Sequence, residues 1–139
     1  MSPEVTVDGI AEFQQGTFPH RLGVEPLEVD DSHARGRMVV DERHLHALGY
    51  LHGGAWVALA DTVAAWGTLR HLPEGAGFTT VELKTNVFAA GRVGDELVAT
   101  ASPLHLGRRT QVWEVRIHKG EKLMANFVCT QMILPDVNR

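Results

Sequence analysis

Residues 53–67 read GGAWVALADTVAAWG, and the way this stretch is buried decides the fold. A helix at a protein surface shows one apolar stripe opposite a charged face. Here Trp56, Val57, Leu59, Ala60, Val63, Ala64, Ala65 and Trp66 point all round the axis, so the helix is expected to be enclosed by other elements. One carboxylate, Asp61, breaks the apolar run. The residues three and four positions away are Val57, Ala58, Ala64 and Ala65, and none of them can form an ion pair with it.

Upstream, residues 8–15 (DGIAEFQQ) predict a short helix with Asp8 as its cap, interrupted at residues 17–19. Residues 22–29 and 34–40 read as two strands separated by the turn-like Asp30, Asp31 and Ser32. The loop DERHLHALGYLH (41–52) leads into the apolar helix, which Pro73 and Gly75 stop after about residue 72. Downstream the period changes to two. Val81, Leu83, Thr85 and Val87 alternate with Glu82, Lys84 and Asn86; Trp113, Val115 and Ile117 alternate with Glu114, Arg116 and His118. Both read as half-buried strands. Segments 96–105 and 122–134 complete a run of four, with turn signals at residues 90–94, at Gly107 and at Lys119-Gly120. The expected architecture is α+β, with an antiparallel sheet of about five to six strands wrapped around one long central helix. So short a chain cannot cover such a helix on every side, so a homodimer or larger oligomer is expected.

The 139 residues, 44% of them hydrophobic, predict one domain spanning 1–139 with a real core. A net charge of -4 without basic clusters argues against nucleic acid as a partner. No apolar run approaches the ~18 residues of a membrane span. The start MSPEVTVDGIAEF carries acidic residues and no apolar h-region, and a cytoplasmic location with no membrane partner is expected. The lone Cys129 suits a reducing compartment. Eight histidines, with His44, His46 and His52 close together, raise zinc; no CxxC or HExxH spacing accompanies them, and no metal site is assigned. His20, His33, His71, His105 and His118 read as surface positions.

Two readings of Asp61 stay open on the residues alone. It faces a solvent gap or bonds a hydroxyl such as Thr62 or Thr80, or it is a general base or nucleophile tuned by apolar surroundings. Gly53 and Gly54 bear on the choice. The first N–H groups of a helix have no internal partners. Glycines there let a substrate carbonyl come close, and the helix dipole favours a developing oxyanion; the alternative is a tight turn into the helix. Seven residues separate Gly54 from Asp61, about 10 Å along the axis at 1.5 Å per residue. If both act on one carbonyl, Asp61 must come from a second copy of the chain.

His52-Gly53-Gly54, then Ala60-Asp61-Thr62, then the run TTVELKTNVFAAGRVGDELVATASPLHLGRRTQVWEVRI resemble the hotdog-fold acyl-CoA thioesterases. The type is the phenylacetate-pathway thioesterase family, related to the Arthrobacter-type 4-hydroxybenzoyl-CoA thioesterases, and the likeness covers roughly residues 20–134. The resemblance implies a hotdog fold, dimers joined edge to edge and paired into homotetramers. It also implies hydrolysis of an acyl-CoA, aryl or arylacetyl of the phenylacetyl-CoA type, to free acid and CoA. No metal or cofactor is implied, CoA being part of the substrate. On this likeness Asp61 matches the catalytic carboxylate, Gly54 the N–H that polarises the thioester carbonyl, His52 the histidine shaping the helix entrance, and Thr80 a hydroxyl near the attacking water or the acid.

The chain departs from the family at His46, where an Asn or Gln amide commonly holds the thioester; imidazole can donate one hydrogen bond there but titrates near neutral pH. His44 is another candidate, its plainer reading being a surface loop residue. For the CoA phosphates the resemblance points to Gly53, Gly107, Arg108 and Arg109, with Lys84 and Arg92 as lesser candidates; solvated strand-end charges are the plain alternative. Trp56, Trp66, Phe88 and Trp113 line an aromatic acyl pocket or belong to the core. Rival functions are a hydratase or dehydratase on the same fold, which HGG with Asp61 fits poorly, and a non-catalytic acyl-CoA binding or sensing protein.

Overall fold

The computed structural model describes residues 5–135. In chain order the elements are α1 (Val7–Phe13), α2 (Phe18–Arg21), β1 (Glu25–Val29), β2 (Ala34–Val39), a 3-10 turn at Glu42–His44, α3 (Gly53–Arg70), β3 (Gly77–Val87), β4 (Glu96–Leu106), β5 (Thr110–Lys119) and β6 (Lys122–Leu134). The strands form one antiparallel sheet in the order β1-β2-β4-β5-β6-β3. Helix α3 lies across it, and no residue from Ala55 to Leu69 is fully exposed.

The sheet-facing side of α3 buries Trp56, Leu59, Ala60, Val63, Ala64 and Trp66 against the inner faces of β2, β4, β5 and β6. On β5 the period-two reading holds: Trp113, Val115 and Ile117 are fully buried. Two glycines set how closely helix and sheet approach. A Cβ on Gly36 of β2 would stand 2.6 Å from the Trp66 ring and 2.8 Å from Val63 Cγ2; one on Gly67 of α3 would stand 2.6 Å from the Trp113 ring. Gly67→Ala therefore sets a helix-propensity gain of roughly 1 kcal/mol against an overpacked core costing about 1–3 kcal/mol. We expect net destabilisation, read as a lower urea midpoint.

Several expectations need correcting. Helix α1 is capped by Thr6, whose side chain accepts from Gly9 N–H, not by Asp8, and it ends at Phe13. Residues 17–19 do not simply interrupt a helix: they begin α2, whose Pro19 stands in the first turn, where a missing N–H costs nothing. Strand β3 is an edge strand, so Val81, Leu83 and Val87 are 50%, 40% and 46% exposed rather than half-buried. Trp56, Trp66 and Trp113 are core residues, whereas Phe88 is exposed. Of the five histidines read as surface positions, His33, His71 and His118 are partly buried.

A register shift between Thr80 and Glu82, with Thr80 opposite Gln131 on β6, leaves Val81 outside the ladder. Such a bulge re-aims the side chains beside it. On the side of α3 that the sheet leaves uncovered, Val57, Ala58, Asp61, Thr62, Ala65 and Leu69 form a half-buried stripe at helical spacing. Helices α1 and α2 cover part of that stripe, and the cavities lie beneath them.

Candidate active site

Asp61 sits in the middle of this stripe. Thr80 Oγ1 donates to Asp61 Oδ1 at 2.9 Å and lies 2.7 Å from Gln131 Oε1. One hydroxyl proton serves one acceptor at a time. With Asp61 ionised, the carboxylate is the stronger acceptor and takes it. With Asp61 protonated, its own O–H can donate to Thr80 Oγ1 while Thr80 turns its proton to Gln131. Both protonation states therefore have a bonding pattern. Burial pushes the Asp61 carboxyl above the ordinary carboxylate range, and the Thr80 bond offsets part of that shift. A carboxylate made more basic than in water by burial suits a base or a nucleophile.

Gln131 is fully buried, and nothing in the sequence around it marks it as part of a site. Its one signal is its place opposite Thr80, which appears only once β3 and β6 are paired. Its Nε2 lies 3.5 Å from Cys129 Sγ. Burial, and then the Asp61 charge, push the Cys129 thiol up to about 12, so this buried cysteine stays protonated and is no nucleophile. Thr80→Val keeps the shape of the side chain but removes the one bond that favours ionised Asp61. We expect kcat to fall roughly 10-fold and the acid limb of the pH–rate profile to move to higher pH.

Asp61 and Thr62 form part of the wall of a cavity of about 280 Å³ whose apolar lining includes Ile10, Phe13, Ala65, Trp66 and Leu69. Gly54 opens into a different cavity, of about 320 Å³, with His52, Ala58 and Phe18. Within one protomer, then, the acid and the helix N-terminus face separate spaces, as their spacing of seven residues requires.

His52 is the N-cap of α3, and its Nδ1 accepts the Gly54 N–H at 2.8 Å. A Cβ on Gly54 would come within 3.1 Å of that nitrogen, whereas one on Gly53 would meet open space. In this protomer the glycine at 54 thus makes room for the imidazole, and the Gly54 N–H is already engaged. The Gly53 N–H has no acceptor among the described residues.

His46 is tied into its own turn. Its Nδ1 accepts from Leu48 N–H at 3.0 Å and its ring packs edge-on against Tyr50, which leaves Nε2 as the nitrogen able to reach outward. His44 is not a surface residue. It is buried, Nδ1 caps the 3-10 turn through Asp41 N–H, and Nε2 lies 2.7 Å from Leu22 O.

The basic residues read as phosphate ligands do not gather in one protomer. Arg108 and Arg109 are exposed in the β4–β5 hairpin, whose Gly107 N–H bonds Thr110 O. Arg92 stacks over the Tyr50 ring at 4.9 Å, at the opposite end of β4. The 11 residues of that strand, at about 3.3 Å each, separate the two groups by roughly 35 Å along its length. Lys84 lies on β3 and donates to Asn86 Oδ1. Among the described residues, no helix is long and apolar enough to cross a membrane.

Residues 48–125, which hold both Gly54 and Asp61, match the thioesterase superfamily. The chain is 34% identical over 110 residues to the 1,4-dihydroxy-2-naphthoyl-CoA hydrolase of Listeria monocytogenes, covering 78% of this chain and 89% of that protein. A Haemophilus influenzae thioesterase superposes with a TM-score of 0.87 at 29% identity, over 95% of this chain and 92% of that one. The Escherichia coli PaaI protein, from the phenylacetic acid degradation operon, superposes with a TM-score of 0.79 at 26% identity, over 88% of each chain. A six-stranded antiparallel sheet around one long helix, together with these likenesses, makes the chain a hotdog-fold thioesterase and a member of the thioesterase superfamily.

Proposed function

We propose that the protein hydrolyses the CoA thioester of a small aryl or arylacetyl acid, of the phenylacetyl-CoA type, without a metal or cofactor. The observation that carries this reading is a half-buried carboxylate, held by Thr80, in the wall of an apolar cavity about the size of one small acyl group. The thioester oxygen takes the place of His52 Nδ1 as acceptor of the Gly54 N–H, with Gly53 N–H beside it at the positive end of α3. Asp61 of a second copy then acts in one of two ways. As a base it takes a proton from water while the water oxygen bonds to the carbonyl carbon; collapse of the tetrahedral oxyanion breaks the C–S bond, and the proton held by Asp61 passes to the departing sulfur, so that CoA leaves as its thiol and the carboxylate is restored. As a nucleophile its oxygen forms a mixed anhydride, CoA leaves, and water then cleaves the anhydride. His46 Nε2 is the donor available to steady the thioester where an amide is usual, and Lys84, Arg92, Arg108 and Arg109 are the candidates for the CoA phosphates, drawn from more than one copy.

The second copy is proposed to pair along β3. An 11-residue edge strand with three exposed apolar side chains is a template for another strand, and soluble proteins rarely leave one open. Pairing of two β3 strands gives a homodimer with one continuous sheet, and two dimers give the homotetramer. Thiol release from a panel of aryl- and alkyl-CoA esters tests the activity, and light scattering tests the assembly. Release from small aryl or arylacetyl esters in preference to long alkyl ones supports the reading. No release from any ester, with the esters still bound, would transfer the protein to the acyl-CoA binding class.

A further inference from the structure

Two acceptors compete for one proton at Thr80. Asp61 Oδ1 stands 2.9 Å and Gln131 Oε1 2.7 Å from its hydroxyl oxygen, which has a single proton to donate. Gln131 is fully buried, so bulk water does not reach its amide. Its Nε2 faces Cys129 Sγ at 3.5 Å, which leaves Oε1 turned towards Thr80. Ionised Asp61 draws the proton to itself and strands a buried amide oxygen, a costly state. Protonated Asp61 is a weaker acceptor, and Thr80 is then free to satisfy Gln131. The conflict is built by the β3–β6 register, which sets Thr80 opposite Gln131 beside the bulge at Thr80/Glu82.

Resting on the thioesterase reading of Asp61, we propose that Gln131 is a positioning residue that acts through Thr80: by competing for the one hydroxyl proton it loosens the hold of Thr80 on the carboxylate and makes Asp61 a better acceptor of the attacking water's proton. As the water oxygen bonds to the carbonyl carbon and its proton passes to Asp61, Thr80 turns to Gln131 Oε1. When that proton moves on to the departing sulfur, Thr80 turns back. Gln131 itself makes and breaks no covalent bond. The surroundings of Asp61 add no charge that would mask the effect. Its neighbours three and four residues away on α3 are Val57, Ala58, Ala64 and Ala65. Helices α1 and α2 with their caps bring Ile10, Phe13, Gln14, Thr17 and Pro19 to the cavity, and none of these titrates. Strand β6 adds Cys129, whose thiol stays protonated, and Glu82 of β3 pairs with Thr130, on the face of the sheet away from Gln131. Burial and the Thr80 bond are the causes of the raised Asp61 value, with no neighbouring charge among the described residues contributing. His46 and His52 of the second copy, which the proposed site brings to the same carbonyl, are unaltered in every variant, so the movement between variants is what is read.

The test follows the acid limb of kcat/KM for phenylacetyl-CoA and, independently of turnover, the titration of the Asp61 carboxyl carbon by NMR, assigned against Asp61→Asn. Gln131→Met, close in volume and without the amide oxygen, leaves the Thr80 proton to Asp61 alone. The carboxyl then holds its own proton less tightly, so both readouts are expected to lie roughly 0.5–1 pH unit lower than in the wild type. On the plateau kcat is expected to fall about 2- to 3-fold, with KM unchanged, because a weaker base takes the water's proton less readily. Gln131→Leu, made in parallel, is expected to move the limb in the same direction and serves if the Met variant does not fold. Thr80→Val moves the limb the opposite way, and adding Gln131→Met to it is expected to move the limb no further, since no proton is left to share. Gln111→Met removes a buried amide that bonds Trp113 rather than Thr80, and is expected to leave the limb in place. A limb and a carboxyl titration that stay put or rise in the Gln131 variants overturn the role of Gln131, and continued turnover leaves the hydrolase standing. Equal movement with and without the Thr80 hydroxyl overturns the path through Thr80. A lowered carboxyl titration in a protein that turns over no ester overturns the hydrolase and leaves the competition for the Thr80 proton standing.

Discussion

Asp61→Asn is expected to lower kcat on the order of 10³-fold while leaving the assembly intact and the fold at least as stable. The substitution keeps an oxygen for the Thr80 hydroxyl to donate to and removes only the charge. Since the carboxyl is pushed above its ordinary value by burial, the folded protein holds this proton more tightly than the unfolded chain does. Stability from this group is therefore full below the unfolded carboxylate pKa of 3.8 and is lost as pH rises through the raised folded value. Above that raised folded value the wild type has lost that contribution and the Asn variant has nothing to lose, so there the variant unfolds at the same or a higher urea concentration. The activity has the opposite slope. Both routes need ionised Asp61, so the wild-type kcat/KM falls as pH drops through a value above 3.8, and any residual rate of Asp61→Asn shows no such limb. Three measurements check this: thiol release, chemical denaturation and a pH–rate profile. A flat wild-type rate from pH 8 to pH 4, or an active Asn variant, would remove Asp61 from the chemistry.

The parts of this arrangement differ in how far one dimension reveals them. Helix α3 and strand β5 are legible because an apolar helix and a strand buried on one face leave different periods, although the sheet covers only one side of α3 and leaves Val57, Asp61 and Ala65 half-buried. Asp61 stands out for the same reason, as a charge where the pattern forbids one, and Thr80 is one of the two hydroxyls the sequence offers it, Thr62 being the other. Strand β3 carries the same alternation as β5 but lies at the sheet edge, and strand order is not written in local pattern; its apolar residues are consequently exposed in the protomer. Pro19 reads as a breaker in sequence, but the first turn of a helix accepts proline and α2 places it there. By sequence His44 offers a candidate donor or a plain surface loop residue, and its burial is not legible there because its two partners, Asp41 N–H and Leu22 O, come from a turn and from a segment 22 residues away. Gln131 carries no local signal at all; it matters through the threonine that stands opposite it across a ladder. The basic residues are a different case: Arg92 and the Arg108-Arg109 pair suit phosphate by type, and within one protomer an intervening strand holds them apart.

Two inactive variants are expected to make an active enzyme when they share a dimer. Gly54 and Asp61 line different cavities of one protomer, and about 10 Å of helix separates them. On the proposed mechanism a complete site takes the helix N-terminus from one chain and the acid from the other. Gly54→Pro removes the N–H itself in the first turn of α3, where proline is tolerated, and Gly53 before it is the residue least hindered by the ring. Alone, Gly54→Pro and Asp61→Asn each spoil both sites of a homodimer. In a mixed dimer, the unaltered Gly54 of the Asp61→Asn chain meets the unaltered Asp61 of the Gly54→Pro chain, and the second site carries both changes. Mixed dimers isolated through two different affinity tags should therefore recover about half the wild-type turnover, one of two symmetry-related sites being whole. If each site were built within one chain, every site in the mixed dimer would still carry one lesion and no activity would return. Recovery near half at unchanged KM places the acid and the amide on different chains; absence of recovery from dimers that are folded and mixed places them on one, and would require α3 to bend or the thioester to bind across both cavities of a single protomer.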